Sequence, residues 1–134
     1  MSMIIGIDLG TTHSAVAVVD AGFPLVLADQ NGKRLTPSVV YFPNDHQEPH
    51  VGLDAVRMQT VAPARTIYSV KRFMGRRSDD LSDTEKRVDY SISQNPGEAI
   101  KILLKDDAFS PEQISAEILK SLKRTAELSM ECSI

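Results

Sequence analysis

The sequence predicts an α/β protein, built in this chain as α+β. Two observations carry that prediction. Short apolar runs alternate with turn residues through the first forty positions, the pattern of an antiparallel meander. A capped amphipathic stretch follows from Ser110 onward, the pattern of a helix that packs one face on a sheet. The length of 134 residues fits one domain with a real core, and 42% hydrophobic with 25% charged residues is ordinary for a globular unit. Fifteen Lys and Arg against eighteen Asp and Glu leave a net charge of -3, which disfavours general nucleic-acid binding. No apolar run approaches the ~20 residues of a membrane helix, and the N-terminus lacks the basic start of a signal peptide. Cys132 is the only cysteine, so no internal disulfide forms and a cytoplasmic setting is expected.

The elements follow in order. Ile4, Ile5, Ile7 and Leu9 make a first strand, Ala15–Val19 a second, Leu25–Ala28 a third and Val39–Phe42 a fourth. Gly10-Thr11-Thr12, Asp20-Ala21-Gly22 and Asn31-Gly32 supply the turns between them. The near-continuous apolar character of the first two strands predicts burial on both faces. Pro43 to Pro49 reads as a loop. Leu53–Val61 reads as a short helix with Ala55, Val56 and Met58 inward, ended near Pro63. Thr66–Phe73 fits either helix or extended chain. Arg76–Asp89 is highly charged and expected on the surface. Two weak strands, Val88–Ile92 and Ile100–Leu104, flank the turn Asn95-Pro96-Gly97. Ser110-Pro111-Glu112-Gln113 has the capping serine, the first-turn proline and the glutamine three residues on. Ile114, Ile118, Leu122 and Ala126 then fall four apart, which predicts a helix from Pro111 to Leu128. A strong helix running straight into the C-terminus is expected of a piece of something longer.

Chemistry concentrates in Asp8-Leu9-Gly10-Thr11-Thr12, between the first two strands. Gly10 permits close backbone approach, successive N–H groups in a tight turn cradle an anion, and Thr11 and Thr12 add hydroxyl donors. Asp8 is placed to hold a hydrated Mg²⁺ beside phosphates. The same residues also make an ordinary hairpin turn capped by Asp8. The Walker A and dinucleotide patterns are both absent. Lys71 is a mobile positive charge suited to a transferring phosphoryl group, and equally a surface lysine beside Arg72, Arg76 and Arg77. His13 is placed to meet a ligand through its backbone. His46 and His50 lie four apart in a loop without a cysteine, a poor zinc pattern.

Ile5–Ser14, Thr36–Val40 and Val70–Arg77, in this order and spacing, resemble the seventy-kilodalton heat-shock (DnaK-type) chaperones, and Ser110–Glu127 is similar to that family's next helix. The resemblance covers nearly the whole chain. It implies the N-terminal part of an ATPase domain of the ribonuclease-H-like, actin-type fold, here incomplete. It divides the chain into 1–38 (first part of the phosphate-binding subdomain), 39–109 (a smaller inserted subdomain) and 110–134 (a helix returning to the first). The implied ligands are ATP or ADP with Mg²⁺. Gly10, Thr11, Thr12 and His13 would meet the phosphates and Asp8 the hydrated magnesium. Lys71 would act on the attacking water and the γ-phosphate. Thr36-Pro37-Ser38 would mark the crossing between subdomains. His13 departs from the Asn or Tyr usual there. The implied partners are unfolded client proteins and co-chaperones. Alternatives are another actin-like phosphotransferase, such as a carbohydrate kinase, or a non-enzymatic binding module. With the family's later strands missing, the first strand would be an open edge, so self-association of this chain is expected.

Overall fold

A computed structural model describes residues 3–44 and 47–134. Its first sheet grows from the predicted meander. Strand β1 (Gly6–Leu9) pairs antiparallel with β2 (His13–Asp20), and β2 pairs antiparallel with β3 (Phe23–Val26). The β2–β3 connection is a two-residue turn in which Ala21 and Gly22 both have positive φ, 50° and 83°, the handedness that matches strand twist. A fourth strand, β4 (Thr36–Pro37), was not legible in the sequence. It shares one edge of β2 with β3: β3 runs along residues 17–20 and β4 along His13 and Ser14.

The next strand, β5 (Val39–Tyr41), leaves this sheet and centres a second one, flanked by β6 (His50–Val51) and β7 (Thr66–Tyr68). Helix α1 (Leu53–Val56) is a single turn and does not reach the expected Val61. Beyond Val56 the bonds tighten to i→i−3, Met58 N–H to Ala55 C=O and Gln59 N–H to Val56 C=O, and the chain winds into a 3₁₀ turn at Pro63–Arg65. The ambiguous stretch after it resolves into both forms, strand β7 and then a 3₁₀ turn at Val70–Phe73. Ser69, between them, takes a left-handed φ of 54°, which reverses the chain direction.

A third sheet holds β8 (Ser91–Ile92), β9 (Ile102–Leu103) and β10 (Ala108–Phe109). Strands β8 and β9 are shorter than the patterns predicted, and β10 has no counterpart among the predicted strands. The charged stretch before them is not wholly superficial, because Ser78 and Leu81 are buried.

Helix α2 (Pro111–Met130) starts as the sequence predicts. The Ser110 hydroxyl accepts from Gln113 N–H at 3.1 Å, and the Gln113 side chain accepts from Ser110 N–H at 2.8 Å. It runs two residues past the expected end. The stop needs no glycine: Glu131 takes the left-handed φ of 53°, and Cys132 N–H bonds Glu127 C=O at 3.2 Å, closing the terminal carbonyls in a Schellman arrangement. The stripe Ile114, Ile118, Leu122 and Ala126 is fully buried. It joins Val16, Val18, Ile67, Phe73, Ile100 and Ile102 in one core cluster. Burying each such large aliphatic side chain is worth about 1.5–3 kcal/mol against exposure, so α2 is the principal clamp of the fold. Near its end Leu128 is exposed while Ala126 stays buried.

Among the described residues the first sheet is covered on one face only. Ile5, Ile7 and Leu9 pack on the core, while Ile4 is 87% exposed. The expected burial of both faces is therefore not met. Among the described residues strand β1 has a single neighbour, β2, and forms a sheet edge.

Candidate phosphate-binding hairpin

The β1–β2 register sets Leu9 opposite Ser14, leaving Gly10, Thr11 and Thr12 to close the hairpin with His13. The closure is tight at Gly10. A Cβ built there would lie 2.1 Å from the His13 carbonyl oxygen, a distance no side chain tolerates. The glycine is required by backbone approach rather than by positive φ.

The loop is pinned from behind by the Thr36-Pro37-Ser38 segment. The Ser38 hydroxyl donates to Gly10 C=O at 2.8 Å, and Ser38 N–H donates to Thr12 C=O at 2.8 Å. The Ser14 and Ser38 hydroxyls are also 2.8 Å apart. Both serines are buried. Sequence reasoning gave Ser38 a place only as a subdomain crossing and gave Ser14 no role. A signal was present: Ser14 shares a face with Val16 and Val18, and a polar residue on a buried face demands a partner.

Thr11, Thr12 and His13 are exposed. With Ser38, Tyr68 and Ser69 they line an open cavity of about 320 Å³. The hairpin and the turn after β7 therefore face a common space. Lys71 lies two residues beyond Ser69 in the 3₁₀ turn, exposed, its turn anchored by buried Val70 and Phe73. Lys71 does not line the cavity. Asp8 is exposed on the open face of the sheet, paired in register with Ala15. It sits two residues before Gly10 and does not line the cavity. The structure thus brings the three loop residues together with Ser69, and places neither Asp8 nor Lys71 in the lining.

Of the basic cluster, Arg76 is committed elsewhere. It pairs with Glu85, with one contact at 3.1 Å, and donates to Asp80 C=O at 2.6 Å. The Arg76 hydrogen bond, aided by Ser82 N–H, holds the Glu85 carboxyl down at about 2. A carboxyl depressed in the folded state contributes stability above its unfolded value near 4.5 and loses it as pH falls toward 2. The 76–89 loop is accordingly expected to loosen between about pH 4.5 and about pH 2. Amide resonances of Ser82 and Glu85 followed through that range check this, and Glu85→Gln should flatten the response. A Glu85 titrating at the ordinary carboxylate value contradicts it.

The histidine pair does not assemble as a unit that can be described: His46 lies outside the described residues. His50 packs edge-on against Tyr41, ring centroids 5.6 Å apart. Cys132 sits with its sulfur 3.9 Å from the Met3 sulfur.

A mixed sheet-and-helix unit, with a glycine-tight, hydroxyl-bearing hairpin braced by a second segment, is consistent with part of a chaperone ATPase domain. The model of the family described as Hsp70 protein matches residues 4–134, and this chain belongs to the Hsp70 family. Among curated proteins it is 48% identical over 129 residues to Chaperone protein dnaK3 of Synechocystis sp.. That alignment covers 94% of this chain and 16% of the relative, so the chain spans a small part of the length of the curated relative it matches. No helix among the described residues is long and apolar enough to cross a membrane.

Proposed function

We propose that this chain supplies one side of the ATP phosphate clamp of an Hsp70-type chaperone, within the phosphate-binding half of an actin-type ATPase domain. The observation that carries the proposal is the Gly10 closure: a loop whose backbone tolerates no Cβ and whose exposed positions are Thr11, Thr12 and His13. Such a loop offers N–H and hydroxyl donors to an anion and sets no carboxylate among them. Gly10, Thr11, Thr12 and the His13 backbone hold the β- and γ-phosphates of ATP. Asp8 fits a hydrated Mg²⁺ rather than a caged one. It is a single exposed carboxylate, and among the described residues no three His, Cys, Asp or Glu side chains converge on a metal site. Bound there, magnesium supplies positive charge against the phosphates. Lys71 adds its ammonium where the attacking water and the γ-phosphate meet. His13 keeps its backbone contact, and its imidazole replaces the smaller or aromatic group usual in the family.

On this reading 1–38 and 110–134 belong to one subdomain and 39–109 is inserted between them. Client proteins and co-chaperones are the partners of the complete chaperone, in the cytoplasm. Hsp70 membership argues against the carbohydrate-kinase alternative.

Phosphoryl transfer is mostly positioning and electrostatics, and one hairpin clamps from one side only. Calorimetry of this chain with Mg-ATP is expected to show binding weaker than micromolar, with no hydrolysis over hours. Micromolar binding or turnover would overturn the half-clamp reading. Self-association is proposed on separate grounds. Among the described residues strand β1 has one neighbour, and the open face beside it carries Ile4 and Val19, both exposed, an edge without a proline or lysine to blunt it. Light scattering should show mass rising with concentration, and a concentration-independent monomer contradicts this.

A further inference from the structure

We propose that the buried Ser14–Ser38 pair is a positioning device that sets which way the peptide units of the phosphate loop face. The proposal rests on the phosphate-clamp reading and adds two residues to it, neither of which needs to touch the ligand.

A serine hydroxyl has one proton to give. Ser38 gives its proton to Gly10 C=O, 2.8 Å away. The 2.8 Å contact between the two hydroxyls is therefore donated by Ser14. The chain of bonds runs one way only, from Ser14 to Ser38 to the Gly10 carbonyl. The backbone of Ser38 holds the second carbonyl, that of Thr12, at 2.8 Å.

In a planar trans peptide the C=O of one residue and the N–H of the next point in opposite directions. Drawing the Gly10 and Thr12 carbonyls toward Ser38 thus turns the Thr11 and His13 N–H groups away from the Thr36–Ser38 segment. Among the described residues the Thr11 N–H donates to no protein acceptor. If either peptide flipped, a carbonyl oxygen would take the place of a donor and repel an anion. Ser14 and Ser38 are 1% and 4% exposed, so water does not readily replace a hydroxyl that is removed. The pair acts on the loop through Ser38, and Ser14 acts through Ser38 in turn.

The test uses this chain, labelled with ¹⁵N, and inorganic tripolyphosphate as the probe. Ser38→Ala is expected to move the Thr11 and His13 amide resonances in the absence of ligand, to speed hydrogen exchange at both, and to weaken tripolyphosphate binding about tenfold, the effect of one lost hydrogen bond. Ser14→Ala should act in the same direction with a smaller effect. Wild-type Thr11 and His13 resonances and wild-type affinity in Ser38→Ala would overturn the proposal, as would a loss of overall stability with both of those unchanged. Should Ser38→Ala fail to fold, the same readings on Ser14→Ala decide. A wild-type chain that ignores tripolyphosphate overturns the phosphate reading instead, and the positioning proposal then stands or falls on the ligand-free resonances and exchange rates of the variants.

Discussion

Gly10→Ala is expected to abolish phosphate binding by the hairpin and to destabilise the chain by about 1–3 kcal/mol, the usual range for forcing an extra carbon into a packed site. The added Cβ meets the His13 carbonyl oxygen at 2.1 Å. That atom belongs to the backbone of β2, and β2 is held on one side by β1 and on the other by β3 and β4. No rotamer change relieves the contact. The loop must open, and opening it breaks the Ser38 bonds to Gly10 and Thr12 together. Gly6→Ala is the matched control, because nothing lies within 4 Å of a Cβ at Gly6. Urea unfolding midpoints with tripolyphosphate titrations separate the two variants. Equal midpoints and equal binding would show that the close approach at Gly10 has no consequence.

In a complete Hsp70 chaperone carrying this chain, Lys71→Ala is expected to slow ATP hydrolysis by about a hundredfold or more while leaving ATP binding mostly intact. Losing one preorganised charge contact to a transition state costs roughly 2.7–4 kcal/mol, and a contact made mainly in the transition state lowers turnover rather than ground-state affinity. The turn that carries Lys71 is anchored by Val70 and Phe73, and the Lys71 side chain is exposed. Thr11→Ala should instead weaken both steps, since Thr11 lines the cavity itself. Single-turnover kinetics alongside nucleotide affinity distinguish the two patterns. A Lys71→Ala chaperone that hydrolyses ATP at the parent rate removes the assigned role.

The parts of the fold legible in the sequence are those that local physics decides. The start of α2 is fixed by Ser110, Pro111 and Gln113 within four residues, and its buried stripe by fourfold spacing. The β1–β2 hairpin is fixed by apolar runs around a turn. What escaped depends on distant partners. Strand β4 is two residues long, one of them proline, and exists because β2 offers an edge at His13 and Ser14. Helix α1 stops at Val56 although its apolar pattern continues, because the chain tightens into i→i−3 turns that deliver Thr66 to β5. The first strand reads as buried on both faces, and it is covered on one because α2 packs on a single side of the sheet. The candidate site divides the same way. Gly10, Thr11 and Thr12 stand out as a motif, whereas the brace from Ser38 crosses 28 residues of sequence and becomes visible only once β4 is in place.

The central claim, that the Gly10–His13 hairpin is a phosphate cradle, is tested most directly by titrating the ¹⁵N-labelled chain with tripolyphosphate and mapping the amide shifts. Saturable shifts concentrated at Gly10, Thr11, Thr12 and His13, with smaller ones at Ser69 across the cavity, are the predicted result. Shifts confined to the basic stretch from Lys71 to Arg77, with the hairpin amides unmoved, would contradict it.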